Sequence, residues 1–491
     1  MKSKCPVAVT DDPYINPFVH RLELKGTYEK LKAVILTVML LPLRLGVIVG
    51  LLVLAWLLAC LGMVGLSEED IIQRPLLGWR RKVKNIIARI MCMTYRAGGM
   101  SVVVKGRQAS RSQAPILVIA PHSTFLDAVI VYVTGFPSII VRKESGSNPW
   151  LGKLINYTQP VYVRREDHDS RQKTVQELIN RVNSKEDWSQ MLIFPEGTCT
   201  NRSCLITFKP GAFYPGLPIQ PVLIRYPNKV DTVTWTWEGP GVIKLMWLTL
   251  VQPQSVCEIE FLPVYTPSEL ERRDPKLYAH NVRQLMAKAL GVPTLDYTYD
   301  DCKLVSRAKK LSFSKTAPLV RAHQLRVKIG LSRKQKEEKL LLEKPGIMRK
   351  TQLINYSQFA EILEHPTSDP DLQELFNLYD REDNGCIDLR EYLLSVVLVN
   401  KSERKAEMVH QAFEVFGGKV TSQEFDLILG LVFQMSSYEI NSIFAEIDIN
   451  NNGYITYEEF EEDAVGRQEF SLIYGSRIRR PSTPKDETKT K

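Results

Sequence analysis

The sequence predicts an α/β domain with an N-terminal membrane helix or hairpin, followed by an all-α C-terminal domain. Three observations predict this. Residues 45–66 form a 22-residue run without a charge, and about 20 apolar residues suffice to cross a bilayer core. From about Lys82 to Val264, short apolar runs alternate with amphipathic stretches, the pattern of strands layered with helices. Beyond residue 346, one apolar position recurs at Ile354, Ile387, Val420 and Ile455, at spacings of 33, 33 and 35, which marks a repeated unit. A chain of 491 residues exceeds one ordinary core. Its 44% hydrophobic and 24% charged residues belong to an ordered protein rather than a disordered one.

Taken in order, residues 1–30 read as a tail and 31–66 as the anchor. Apolar character begins at Leu31 and is interrupted at Pro42 and Arg44. Proline removes a ladder bond, and an arginine inside a membrane is costly. Two arrangements stay open: one spanning helix over 45–66, or a hairpin from 31 that bends near Pro42. Basic residues flank both ends, so charge bias leaves the orientation open. Eight cysteines at scattered positions form no CxxC pair, which favours reduced thiols over a disulfide framework or a zinc site. Fourteen Lys and Arg against three Glu between Ser306 and Lys350 outweigh the whole-chain charge of +9. This basic linker, 306–345, suits a solvated role or phosphate headgroups beside an anchor better than nucleic acid.

In the α/β region, 67–305, candidate strands are 114–120, 138–142, 160–163, 190–194, 219–226 and 257–264, with a helix over 170–183. Functional groups in such folds sit just past strand ends. Two motifs do so. His122 and Asp127 follow the strand ILVIA. On one α-helix a five-residue offset would point them apart, so His122 belongs on the turn, with Asp127 reaching back from the next turns. A carboxylate on one imidazole nitrogen sets the tautomer and leaves the other free to take a proton. After MLIF comes Phe194-Pro-Glu-Gly-Thr-Cys-Thr-Asn-Arg202. There Gly197 permits close backbone approach, and Thr198, Asn201 and Arg202 supply donors suited to a phosphate.

The C-terminal region, 346–466, carries two twelve-residue loops with oxygen-bearing side chains at calcium-ligand spacing. The first has Asp380, Glu382, Asn384, the Cys386 carbonyl, Asp388 and Glu391, with Gly385 at the turn. The second has Asp448, Asn450, Asn452, the Tyr454 carbonyl, Thr456 and Glu459, with Gly453 at the turn. The repeat implies four EF-hand-like units in two pairs, the first and third without ligands. Two calcium sites are expected. Residues 467–491 read as a polar tail.

The block order His-x4-Asp, then Pro160-Val-Tyr-Val-Arg-Arg165, then Phe194 to Arg202, then Ile219-Gln-Pro-Val222 resembles the glycerolipid acyltransferases. With APHSTFLD, RYPNK, TWTWEGPG and the EF-hand loops, the chain resembles the lysophosphatidylcholine acyltransferases that bear EF-hands. The resemblance implies an α/β acyltransferase domain plus an EF-hand domain in an endoplasmic reticulum or Golgi membrane; acyl-CoA supply, reduced thiols and calcium switching favour the cytosolic face for the catalytic unit, and with it the hairpin. The resemblance also implies acyl-CoA as donor, a lysophospholipid as acceptor and no catalytic metal. His122 would be the base and Asp127 its orienter. Glu196, Gly197, Thr198, Cys199, Asn201 and Arg202 would form the substrate site, with Arg164 or Arg165 assisting. Lysophosphatidate or lyso-PAF are further acceptors, and a calcium-dependent membrane adaptor on an inactive scaffold is the contrasting reading.

Overall fold

The computed structural model describes residues 16–22, 26–148, 151–163, 168–310, 316–331, 353–380, 384–390, 392–393, 405–433, 435–467 and 470. The chain divides into two compact units, Met1–Tyr299 and Asp300–Lys491.

In the first unit, α1 (Thr27–Met63), α2 (Glu68–Gln73) and α3 (Gly78–Ala97) lead into β1 (Met100–Lys105) and β2 (Ile116–Ala120). A 3-10 turn, Phe125–Ala128, runs into α4 (Val129–Val133), then β3 (Ser138–Arg142), α5 (Lys143–Gly146), α6 (Leu151–Tyr157) and β4 (Val161–Val163). There follow α7 (His168–Asn183), β5 (Met191–Ile193), β6 (Ile219–Arg225), α8 (Val242–Leu250), β7 (Ser255–Phe261), α9 (Glu269–Arg273) and α10 (Pro275–Leu290).

The seven strands lie in the order β1-β7-β6-β2-β5-β3-β4. β2 is parallel to both β5 and β6, while β7 runs antiparallel to β6 and parallel to β1. Every residue of β2 is buried, as expected of a central parallel strand covered on both faces. Leu117 and Ile119 pack with Ala55, Ile87 and Met91 on the face carrying α1 and α3. Ile116, Val118 and Ala120 pack with Leu178, Tyr278 and Val282 on the face carrying α7 and α10. The period-two alternation thus sorts β2 between two cores. Val118 aligns with both Ile193 and Pro221, so β2, β5 and β6 deliver their following turns to one end of the sheet. β1 escaped the sequence reading. It is an edge strand whose Val103 and Val104 are exposed, so it lacks a clean apolar run.

Helix α1 differs from expectation. It runs unbroken for 37 residues through Pro42, about 55 Å at 1.5 Å per residue, and so neither starts at 45 nor bends into a hairpin. One ladder bond is lost at Pro42, and docking next to it offsets that loss. The Arg44 guanidinium donates to the carbonyls of Leu250, Gln252 and Pro253 at 2.5–2.8 Å, and the Trp247 indole donates to Thr37 at 2.9 Å. Gly62 lets the Tyr157 ring close onto the helix where any Cβ would collide. Val38, Met39, Leu43 and Leu61, by contrast, stay exposed.

The second unit bears out the repeat. β8 (Leu353–Asn355) pairs antiparallel with β9 (Cys386–Asp388), matching Ile354 to Ile387. β10 (Lys419–Thr421) pairs with β11 (Tyr454–Thr456), matching Val420 to Ile455. The four recurring apolar residues are therefore the centres of two ribbons over a core of Phe359, Phe376, Phe413, Phe425 and Phe460. The basic linker is not a linker throughout. Helix Thr316–Lys328 buries Ala322 and Leu325 in this core, and Arg321 forks onto Glu374 at 2.6 Å.

Candidate active site

β2 ends at Ala120, and His122 occupies the turn beyond it. Asp127 lies in the 3-10 turn Phe125–Ala128, which is capped by Thr124, whose hydroxyl accepts from Leu126 N–H at 3.2 Å. This local arrangement solves the offset that a single helix could not. His122 Nδ1 is 2.9 Å from Asp127 Oδ2. The same oxygen accepts from Ser123 N–H at 2.7 Å and Thr124 N–H at 3.0 Å, while Oδ1 accepts from the Tyr226 hydroxyl at 2.7 Å. The Asp127 side chain is fully buried, whereas the His122 side chain keeps 24% exposure. Burial opposes the imidazolium, but Cys199 beside the ring and the Asp127 carboxylate together raise the His122 pKa well above its ordinary value.

The loop after β5 encloses His122. The Glu196 carboxylate accepts from His122 N–H at 2.6 Å, and the Thr200 N–H donates to the His122 carbonyl at 2.8 Å. The Phe194 ring lies over the imidazole, centroids 4.3 Å apart. Burial pushes the Glu196 pKa up to about 7. Gly197 adopts φ 67 with the Lys209 amine packed where its side chain would be. The Thr198 hydroxyl accepts from the Trp237 indole at 2.9 Å.

Not every candidate substrate ligand is placed to be one. Glu196 is fully buried and its bonds go to backbone, so it lies behind the site rather than in it. Asn201 is also spent internally: Nδ2 donates to the carbonyls of Asn16 and Val19, and Oδ1 accepts from Ser203. Thr198 is buried under Trp237. Cys199 and Arg202 do flank His122. Arg202 donates to the Ser123 hydroxyl at 3.3 Å and to Asp231 at 2.5 Å, with its guanidinium over the Tyr226 ring. Arg164 and Arg165 lie outside the described residues.

Asp231 went unrecognised in the sequence, and Phe194, Tyr226 and Trp237 lay inside the quoted motifs without being given a role. Only Tyr226 had a usable signal: it closes β6, and once β6 is known to neighbour β2, its hydroxyl must fall near the His122 turn. A cavity of about 730 Å³ lined by Arg107, Gln113 and Pro263 sits at the opposite end of the sheet. Gln190 and Gln220 there donate to backbone carbonyls, and Gln190 accepts from the Gln108 amide at 2.7 Å, so it is not this site.

In the calcium loops, Asp380 accepts from the N–H groups of Asn384 and Gly385 at 3.1 and 2.8 Å. Asp448 accepts from Asn452 and Gly453 at 3.0 and 2.9 Å. The two loops share one turn, with Gly385 at φ 74 and Gly453 at φ 80. Asn450, Asn452, Tyr454 and Glu459 follow in register along the second loop, with the Glu459 carboxylate accepting from the Thr456 N–H and hydroxyl at 2.8 and 3.0 Å. Its donor set, two carboxylates with amide and carbonyl oxygens, fits a hard cation. In the first loop, Asn384 and Cys386 are in place, but Glu382 and Glu391 lie outside the described residues. Asp388 is bound by Arg390 at 2.8 Å, which competes with a cation for position nine.

A parallel-rich α/β sheet with a His–Asp pair at the end of its central strand defines an acyltransferase domain, here joined to an EF-hand domain. Family profiles agree: the acyltransferase family matches residues 101–225 and an EF-hand domain pair matches 369–464. The chain is 42% identical over 481 residues to a Drosophila melanogaster lysophosphatidylcholine acyltransferase, covering 95% of this chain and 89% of that one. It is 43% identical to lysophosphatidylcholine acyltransferase 1 of Homo sapiens (94% and 87% covered) and 40% identical to lysophosphatidylcholine acyltransferase 2 of Homo sapiens (94% and 85% covered). The chain belongs to the lysophosphatidylcholine acyltransferase family, and it is an O-acyltransferase.

Proposed function

We propose that this enzyme transfers an acyl group from acyl-CoA to the free glycerol hydroxyl of lysophosphatidylcholine, giving phosphatidylcholine. The observation that carries the mechanism is the buried Asp127 carboxylate holding His122 Nδ1. Neutral His122 accepts the hydroxyl proton at Nε2. The alkoxide oxygen attacks the thioester carbon, the C–S bond breaks, and the departing CoA thiolate takes the proton back from Nε2. Asp127 stabilises the imidazolium between those two steps. No acyl-enzyme is needed, since the acceptor itself is the nucleophile.

Arg202 and Lys209 are the cations that hold a phosphate of acceptor or donor, with Arg164 or Arg165 assisting. α1 is long and apolar enough to cross a bilayer, which supports a membrane-bound enzyme, and the endoplasmic reticulum and Golgi are its proposed compartments. Cys60, Cys92, Cys199, Cys204, Cys257 and Cys386 form no disulfide, which supports a catalytic unit on the cytosolic face, where acyl-CoA is made. The two EF-hand loops bind one calcium each: Asp448, Asn450, Asn452, the Tyr454 carbonyl and Glu459 in one, and Asp380, Asn384, the Cys386 carbonyl, Glu382 and Glu391 in the other. Bound calcium would supply charge neutralisation and rigidity to this domain.

The test is an acceptor panel with purified protein in phospholipid nanodiscs and labelled acyl-CoA. Lysophosphatidylcholine should be the preferred acceptor over lysophosphatidate and glycerol 3-phosphate. A preference for lysophosphatidate would overturn the headgroup assignment, and silence on every acceptor would leave the adaptor reading in its place.

A further inference from the structure

The residues before α1 were expected to be a tail, yet Asn16–His20 is built into the site. Pro17 and Phe18 are buried, Phe18 completely, with its ring edge-to-face on Tyr297 at 5.7 Å. The segment grips two loops. On one side, Asn201 N–H donates to the Pro17 carbonyl at 2.8 Å, and Asn201 Nδ2 donates to the carbonyls of Asn16 and Val19 at 3.0 and 2.9 Å. On the other side, His20 N–H donates to the Glu238 carbonyl at 2.7 Å and Glu238 N–H to the Phe18 carbonyl at 3.1 Å. His20 Nε2 lies 3.0 Å from the Asp231 carbonyl oxygen.

These two anchor points bracket one side chain. Asn201 precedes Arg202, and Asp231 is the carboxylate that Arg202 pairs with. Arg202 itself has φ 66, a left-handed conformation that a residue with a Cβ rarely adopts. Such a conformation persists only where its surroundings over-determine it. Here the segment fixes the backbone before the strained residue and the partner of its guanidinium together. That leaves Arg202 aimed at Ser123, the neighbour of His122.

We propose that Asn16–His20 is a strap that sets the aim of Arg202 and so completes the site for the acceptor's phosphate. Phe18, Asn201 and His20 are positioning residues, since none of them is placed against the reacting groups. The inference rests on the reading that Arg202 meets that phosphate. It also makes the chain just ahead of α1 part of the enzyme's binding machinery rather than a leader to its anchor.

The test uses full-length protein in nanodiscs. Phe18→Ala should raise KM for lysophosphatidylcholine about 10-fold, with KM for acyl-CoA within about 2-fold of wild type. Amide hydrogen exchange at residues 200–203 should accelerate in the same variant. Phe18→Leu should recover most of both effects. His20→Ala, which leaves the buried ring in place, should give the same pattern at about 3-fold. Unchanged exchange at 200–203 would overturn the strap, as would a rise in both KM values together. Arg202→Lys keeps the charge and loses the fork; if it leaves the lysolipid KM unchanged, the phosphate reading fails, and faster exchange in Phe18→Ala would still support the strap.

Discussion

Replacing Asp127 by Asn isolates the charge of the pair while keeping its shape. Asp127 Oδ2 accepts three donors and Oδ1 one. The Asn carbonyl can take the three-donor position, and its NH2 can donate to Tyr226, whose hydroxyl rotates to accept. The three bonds change from charge-assisted to neutral, a loss of roughly 1 kcal/mol each. The protein should therefore stay folded with a lowered melting temperature. The catalytic cost is larger. An ion pair near 4 Å is worth about 4 kcal/mol at an effective dielectric constant of 20, and the imidazolium exists only between proton uptake and return. The kcat should fall by about three decades. The pH midpoint of kcat/KM should also move to lower pH. Neutral His122 is the active base, Asp127 raises its pKa in the wild type, and removing the carboxylate lets the base form at lower pH. The assay is initial-rate transfer of labelled acyl-CoA to lysophosphatidylcholine across pH, with far-UV circular dichroism as the folding check. A folded variant with kcat within about 10-fold of wild type, or with an unmoved pH midpoint, would refute the pairing as the source of catalysis.

Glu196→Gln keeps an oxygen for His122 N–H and removes a buried acid. Folded Glu196 has a pKa of about 7 against an ordinary 4.5, so folding takes up a proton between those values and wild-type stability falls as pH rises through that window. The expected gain of the variant at pH 8 is about 3 kcal/mol, with none at pH 4, read by denaturant melts; equal stability across the range would contradict the burial argument. Cys199→Ala removes a group that raises the His122 pKa, so the pH midpoint should shift to lower pH with maximal kcat within about 3-fold. Loss of activity at every pH would instead indicate an acyl-cysteine. Asp448→Ala should cost one bound calcium by equilibrium dialysis, and an unchanged stoichiometry would remove the second loop from the calcium sites.

What was legible in the sequence was local. The His122 turn and the Asp127 reach-back follow from a five-residue offset that an α-helix cannot satisfy. The ribbons pairing Ile354 with Ile387 and Val420 with Ile455 follow from a repeat visible in the chain. What escaped was long-range. Tyr226 reaches Asp127 across 99 residues and Asn201 reaches Asn16 across 185, contacts that depend on strand order and carry no periodicity. The polarity of Phe194 to Arg202 was legible in the sequence, but most of it is used to hold His122 and the Asn16–His20 segment. Pro42 misled for a related reason: its local cost is real, and tertiary docking of Arg44 outweighs it.

The most direct test of His122 as the base is transfer from labelled acyl-CoA to lysophosphatidylcholine by purified wild type and His122→Ala, matched for folding by melting temperature. The expected result is robust transfer by the wild type and a loss of at least about three decades in the variant. Transfer by a folded His122→Ala within about 10-fold of wild type would contradict it.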